Sequence, residues 1–234
     1  MHDPYAHRRG EPRTFAAAWV AYLFSGVAVA LLGVGTLGLV ATDVYRAAAR
    51  LMIAITFVAV WIFWPMVRLS QDGPRRTVGA FAADFLLVML PAYAIIWPQT
   101  LAWMAAWPVD VCLGLTLLVT AWGAMAAAIL TWYFGRGPAG EQPTPGRWVM
   151  MAVFVVVACV GPALSVMSGK AMRVEFDAAA MLSPVGGALQ LVADKSAVGS
   201  AALMEREHWV FTLVFLAMSL FAWGLSALLA RDDA

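Results

Sequence analysis

The sequence predicts an all-α, polytopic membrane protein, and three observations carry that expectation. Of 234 residues, 63% are hydrophobic and only 12% charged, with a mean hydropathy of +0.81, whereas soluble domains carry about twice that charged fraction. The apolar residues fall into long charge-free runs, most of them near the ~20 residues a helix needs to cross the hydrocarbon core. The arginines and lysines collect in the gaps between those runs.

Six spans follow, at 15–41, 47–67, 78–98, 109–134, 147–167 and 209–230. They divide the chain into a tail (1–14), a five-helix part (15–167), a long connection (168–208) and a last helix with a short tail (209–234). The first run is far longer than the roughly 7–15 apolar residues of a cleavable signal peptide, so it reads as a retained anchor. Its Gly26, Ala30, Gly33, Gly35 and Gly38 offer small faces for close helix approach, as Gly123 and Ala127 do in the fourth span. The second span is short unless Ala47–Ala49 extend it past Arg50, whose side chain can snorkel to the interface. The third holds Asp84 about two turns, or ~10 Å, from its start, and Pro91 should kink it near mid-membrane.

Charge sets the expected orientation. The N-terminal tail and the second connection carry three arginines each (Arg8, Arg9, Arg13; Arg68, Arg75, Arg76), and the third connection has none. The side richer in arginine faces the cytoplasm, which places both termini there. Trp19, Trp61, Trp64, Trp132 and Trp148 then fall near inner span ends, and Trp97, Trp103, Trp107 and Trp209 near outer ones, as an aromatic belt would. An alanine-rich, lysine-poor chain points to a GC-rich bacterium and hence to its inner (plasma) membrane.

Several function classes are disfavoured. HExxH, GxSxG, Walker A and Gly-rich dinucleotide motifs are all missing, so no enzyme activity is expected. Cys112 and Cys159 sit alone in apolar runs as small core residues. Glu205, Glu207 and His208 lack a helical spacing that would aim all three at one metal ion. With His2, His7 and His208 outside the spans there is no haem pair at membrane depth. No cofactor is expected, and a net charge of +1 gives no surface for nucleic acid.

Three candidate sites remain. Asp84 is an intramembrane carboxylate, costly unless paired or hydrated; it lines a pathway or pairs with Arg68, Arg75 or Arg76 at the interface. The second connection, RLSQDGPRRT from Arg68 to Thr77, offers Arg68, Asp72, Arg75 and Arg76 to a cytoplasmic partner or to anionic lipid. The third candidate lies in the connection 168–208, which reads EFDAAAMLSPVGGALQLVAD over Glu175–Asp194. Residues 178–182 and 188–192 form helices too short to span, separated by a turn over Ser183, Pro184, Gly186 and Gly187. They would lie at the outer interface as a lid, or enter it as a shallow re-entrant hairpin.

Six spans, both termini inside and a long outer connection of short apolar helices resemble the permease subunit of ABC-2-type ABC transporters. Leu182-Ser183-Pro184 followed by Ala188-Leu189, then a helix returning into Trp209–Arg231, is similar to the end of those permeases. The resemblance implies a non-catalytic subunit that forms a homodimer or hetero-oligomer and is driven by a separate soluble ATPase. It assigns Arg68–Thr77 as the coupling loop and the Ser183–Gly187 break as the outer gate. Two family features are missing: a longer amphipathic helix before the first span, and a Glu-rich, Gly-Thr pattern in the second loop. The alternative is a structural or accessory subunit of a larger respiratory or biogenesis complex, holding partners through its Gly/Ala faces.

Overall fold

The computed structural model describes residues 12–35, 42–71, 73–74, 76–136, 144–167, 176–193 and 202–230. Among them every regular element is helical: α1 (Pro12–Gly35), α2 (Thr42–Val58), a π-turn (Ala59–Phe63), α3 (Trp64–Leu69), α4 (Thr77–Ile96), a 3₁₀ turn (Trp97–Thr100), α5 (Val109–Phe134), α6 (Thr144–Met167), α7 (Ala178–Met181), α8 (Pro184–Leu191) and α9 (Arg206–Leu229). Five helical stretches are long and apolar enough to cross a membrane: Tyr45–Leu69, Thr77–Thr100, Val109–Phe134, Pro145–Leu164 and Arg206–Leu229. Their ends fall within a few residues of those expected for spans two to six. The expected first span, 15–41, lies partly outside the described residues; within α1 the apolar described stretch is Ala17–Val29.

α2, the π-turn and α3 form one continuous rod. Pro65 explains the π-turn: it has no N–H for the Trp61 carbonyl, and its ring crowds that carbonyl. The backbone widens instead, and the Trp64 N–H bonds the Ala59 carbonyl five residues back. One extra residue in a turn rotates everything after it by about 100°, which sets the direction in which α3 presents Arg68.

α1 runs antiparallel along this rod. Gly26 stands so close to Ile55 that an added Cβ would lie 2.6 Å from its Cγ2. Tyr22 stacks on Phe63 at 4.7 Å between ring centroids, and the Phe15 ring lies under the Arg68 guanidinium at 4.9 Å.

α5 is the buried centre. α4 crosses it antiparallel, with Met89 filling the notch at Gly123 and Phe81 against Phe134. α9 lies parallel to α5 in the most extensive helix pairing of the fold. Met204 just before α9 fills the notch at Gly114, Phe215 packs on Trp122, and Ala230 just after α9 abuts Gly135. The α9 side chains buried along this face are His208, Thr212, Ser219 and Ser226, the last three at seven-residue intervals. Small side chains at that period let two helices approach closely over many turns.

The tryptophans depart from the expected belt. Trp97, Trp103 and Trp148 are exposed, but Trp19, Trp61, Trp64 and Trp107 are buried at 2% or less. Trp61 and Trp64 instead hydrogen-bond inside the protein, to Phe154 and to Asp84. Their ring area is used in helix packing, so position near a span end alone does not place a ring among headgroups.

Candidate functional site

Two polar arrangements lie at opposite ends of the α2–α3 rod. The first surrounds Asp84, only 1% exposed. Arg68, from the last turn of α3, meets it with Nε on one carboxylate oxygen and Nη2 on the other. Trp64 Nε1 donates to the same Oδ2 at 3.3 Å. The second terminal nitrogen of Arg68 donates to Gln71 Oε1 at 2.8 Å, and Phe15 covers the guanidinium face. Both charges are desolvated, and each guanidinium nitrogen and each carboxylate oxygen has a hydrogen-bond partner, which is the condition under which a buried pair holds. The pair therefore lashes α3 to α4 beneath the second connection.

Of the sequence-predicted coupling residues, Arg68 belongs to this buried pair and not to an accessible loop. Arg76 is exposed and directly precedes α4. Asp72 and Arg75 lie outside the described residues. Ser70 and Arg76 are exposed, and Gly73 and Pro74 partly so.

The second arrangement is the α7–α8 hairpin. Asp177 caps α7, accepting from the Ala179 N–H at 3.0 Å. Ser183 caps α8, accepting from the Gly186 N–H at 3.3 Å, with Pro184 in the first helical position. Ser-Pro is thus a helix start. The turn expected over Ser183–Gly187 contracts to Leu182 and Ser183, and Gly186 and Gly187 lie inside α8. They are there for space: a Cβ on Gly186 would sit 2.6 Å from the Ala180 carbonyl oxygen, and one on Gly187 3.3 Å from Leu118 of α5.

The hairpin packs against α2, α5 and α6, and Met181, Ser183, Ala188 and Leu191 are buried at 1% or less. Its attachment to α6 follows from Pro162. That proline has no N–H, so the Ala158 carbonyl loses its helical donor. The Ser183 hydroxyl supplies one, donating to it at 2.7 Å. Gly161 makes the approach possible, since a Cβ there would lie 2.5 Å from Ser183 Cβ and 2.7 Å from the Ala179 carbonyl oxygen. Ala158 is six residues before Leu164, the end of the apolar stretch of α6, or about 9 Å along the axis. At the other end of α8, Arg50 Nε donates to the Val192 carbonyl at 3.0 Å, placing a cation at the negative end of the helix. Arg46 Nε likewise donates to Ala105 at 3.0 Å. Neither arginine simply reaches for the interface.

Ser183 thus meets Gly161 and the Ala158 carbonyl of α6, Gly186 packs on Ala180 and Gly187 on Leu118 and Met181, whereas Asp84 and Arg68 meet at the far end of the rod. Sequence reading missed the Pro162–Ser183 relation and the clamps from Arg46 and Arg50. A proline inside a span announces an orphaned carbonyl, but not which hydroxyl will serve it.

Glu205 and His208 form a reciprocal cap at the start of α9, with the Glu205 N–H donating to His208 Nδ1 at 3.3 Å. Among the described residues no His, Cys, Asp and Glu group is arranged to hold a metal ion. No family model, curated protein or solved structure matches this chain.

Proposed function

We propose that this chain is the non-catalytic membrane half of a transporter driven by a separate soluble ATPase, with α1 as a sixth span and both termini on the cytoplasmic side. The observation that carries this reading is the single rod 42–69. Near one end, Arg50 holds the α8 terminus; at the other, Arg68 is locked to Asp84 beneath the exposed Arg76. Arg50 and Arg68 are 18 residues apart, about 27 Å of helix, close to the thickness of the hydrocarbon core. A push on the second connection would thus reach the hairpin through one continuous helical element. In this reading the hairpin is a re-entrant gate, and the π-turn at Ala59–Phe63 is the place where the rod can flex. Two copies would meet across apolar helix faces and form the cargo path between them.

A second reading is favoured by one feature. α6 and α9 expose broad apolar faces, including Val149, Val156, Val210 and Phe221, which suits an accessory subunit held among other membrane proteins.

Purification from native membranes in mild detergent, with mass spectrometry of what accompanies the chain, separates the two. A stoichiometric soluble protein with a Walker A motif, released by Arg76→Glu, is the expected result. Redox or assembly proteins without an ATPase would overturn the transporter reading and leave the accessory one.

A further inference from the structure

A groove of about 720 Å³ opens sideways between α9 and the hairpin, with neither Asp84 nor Arg68 in its lining. Val210, Phe211, Val214, Phe215 and Met218 of α9 form one wall, and Phe176, Ala178 and Leu182 the other. The α9 positions recur at three and four residues, so they share one stripe of the helix. Arg206 and Glu207, both exposed, stand at the mouth.

Two features define an occupant. From Arg206 to Met218 the groove descends twelve residues, about 18 Å, close to half of a ~30 Å hydrocarbon core and so to the depth of one leaflet. The mouth presents a cation and an anion side by side. An anionic headgroup would meet attraction and repulsion together. A zwitterionic headgroup bearing phosphate and a primary ammonium satisfies both, the phosphate on the Arg206 guanidinium and the ammonium on the Glu207 carboxylate.

We propose that this groove binds a phosphoethanolamine phospholipid of the hairpin-side leaflet, one acyl chain lying along α9 and its headgroup between Arg206 and Glu207. The site stands whether or not the chain is a transporter. An acyl chain there would touch Leu182, next to the Ser183 cap, so bound lipid and hairpin position are linked.

The test reconstitutes the full chain in phosphatidylcholine vesicles containing a trace of phosphatidylethanolamine with a photoactivatable acyl chain, and maps cross-links by peptide mass spectrometry. Labelling should concentrate on Val214, Phe215, Met218 and Leu182. Val214→Trp should fill the groove and lower it at least about fivefold, while Phe221→Trp, on an exposed part of α9, should leave it unchanged. Glu207→Gln should lower ethanolamine-probe labelling by about fivefold, as expected for one interfacial charge contact, and raise that of a phosphatidylglycerol probe, because the carboxylate that repels an anionic headgroup is gone. Labelling spread evenly over the apolar faces of α6 and α9 would overturn the proposal. So would equal labelling by the glycerol and ethanolamine probes, or a groove that stays unlabelled because another segment or a second copy covers it.

Discussion

At the scale of single residues, Asp84 and Ser183 each answer a demand made elsewhere in the chain. Removing one partner of a buried ion pair typically costs ~3–5 kcal/mol, because the other charge stays desolvated. Asp84→Asn and Arg68→Met should each destabilise by that order in unfolding by denaturing detergent. The double change Arg68→Met with Asp84→Leu should recover most of the loss, since neither charge is then buried. Failure of the double variant to recover would mean the pair does more than join two helices. Ser183 carries a second prediction. Ser183→Ala orphans the Ala158 carbonyl and removes the α8 cap, a loss of ~1–3 kcal/mol. In a Pro162→Ala background the restored N–H can serve Ala158, so the same substitution should cost about 1 kcal/mol less. An equal loss in both backgrounds would sink this account. Asp84's need for a partner was legible in the sequence, because a carboxylate in an apolar run requires one. Which arginine serves was not, since the π-turn before Pro65 sets the direction Arg68 faces.

At the scale of elements, spans two to six were legible to within a few residues because hydropathy is summed locally along the chain. The seating of the hairpin was not, because it depends on distant residues: Gly161 and Pro162 on α6, Leu118 on α5 and Arg50 on α2. Each is an unremarkable residue until the chain returns to it. Gly161 is the most exacting, since an added Cβ meets backbone atoms as well as Ser183. Gly161→Val should therefore displace the hairpin outward. In a variant with Cys112 and Cys159 replaced, a cysteine at Met181, buried in the native packing, should resist a thiol reagent and then react once Gly161→Val is added. Gly79→Val serves as control, because nothing lies within 4 Å of a Cβ there. Protection that survives Gly161→Val would mean α6 and α7 can separate without releasing α8.

At the scale of the whole molecule, the parity of the spans decides which ends share a face. α1 has 24 residues, about 36 Å of helix, long enough to cross. It follows the rod antiparallel from Phe15 beside Arg68 to Gly26 beside Ile55. If it crosses with its neighbours, the tail before Pro12, the Arg76 connection and the chain after Leu229 lie on one side. The loop holding Leu101 and Trp103 lies on the other, with the hairpin. Single cysteines at these places, labelled with an impermeant reagent in oriented vesicles, should sort in that way. A tail that labels together with Trp103 would leave five spans and remove α1 from the bilayer. The outcome bears on mechanism as well as on count. With six spans, the Phe15–Arg68–Asp84 cluster closes the face on which a soluble partner would act, and α1 braces the rod along its length. With five, the rod would lose that brace, and force applied at Arg76 would bend it at the π-turn before reaching the hairpin.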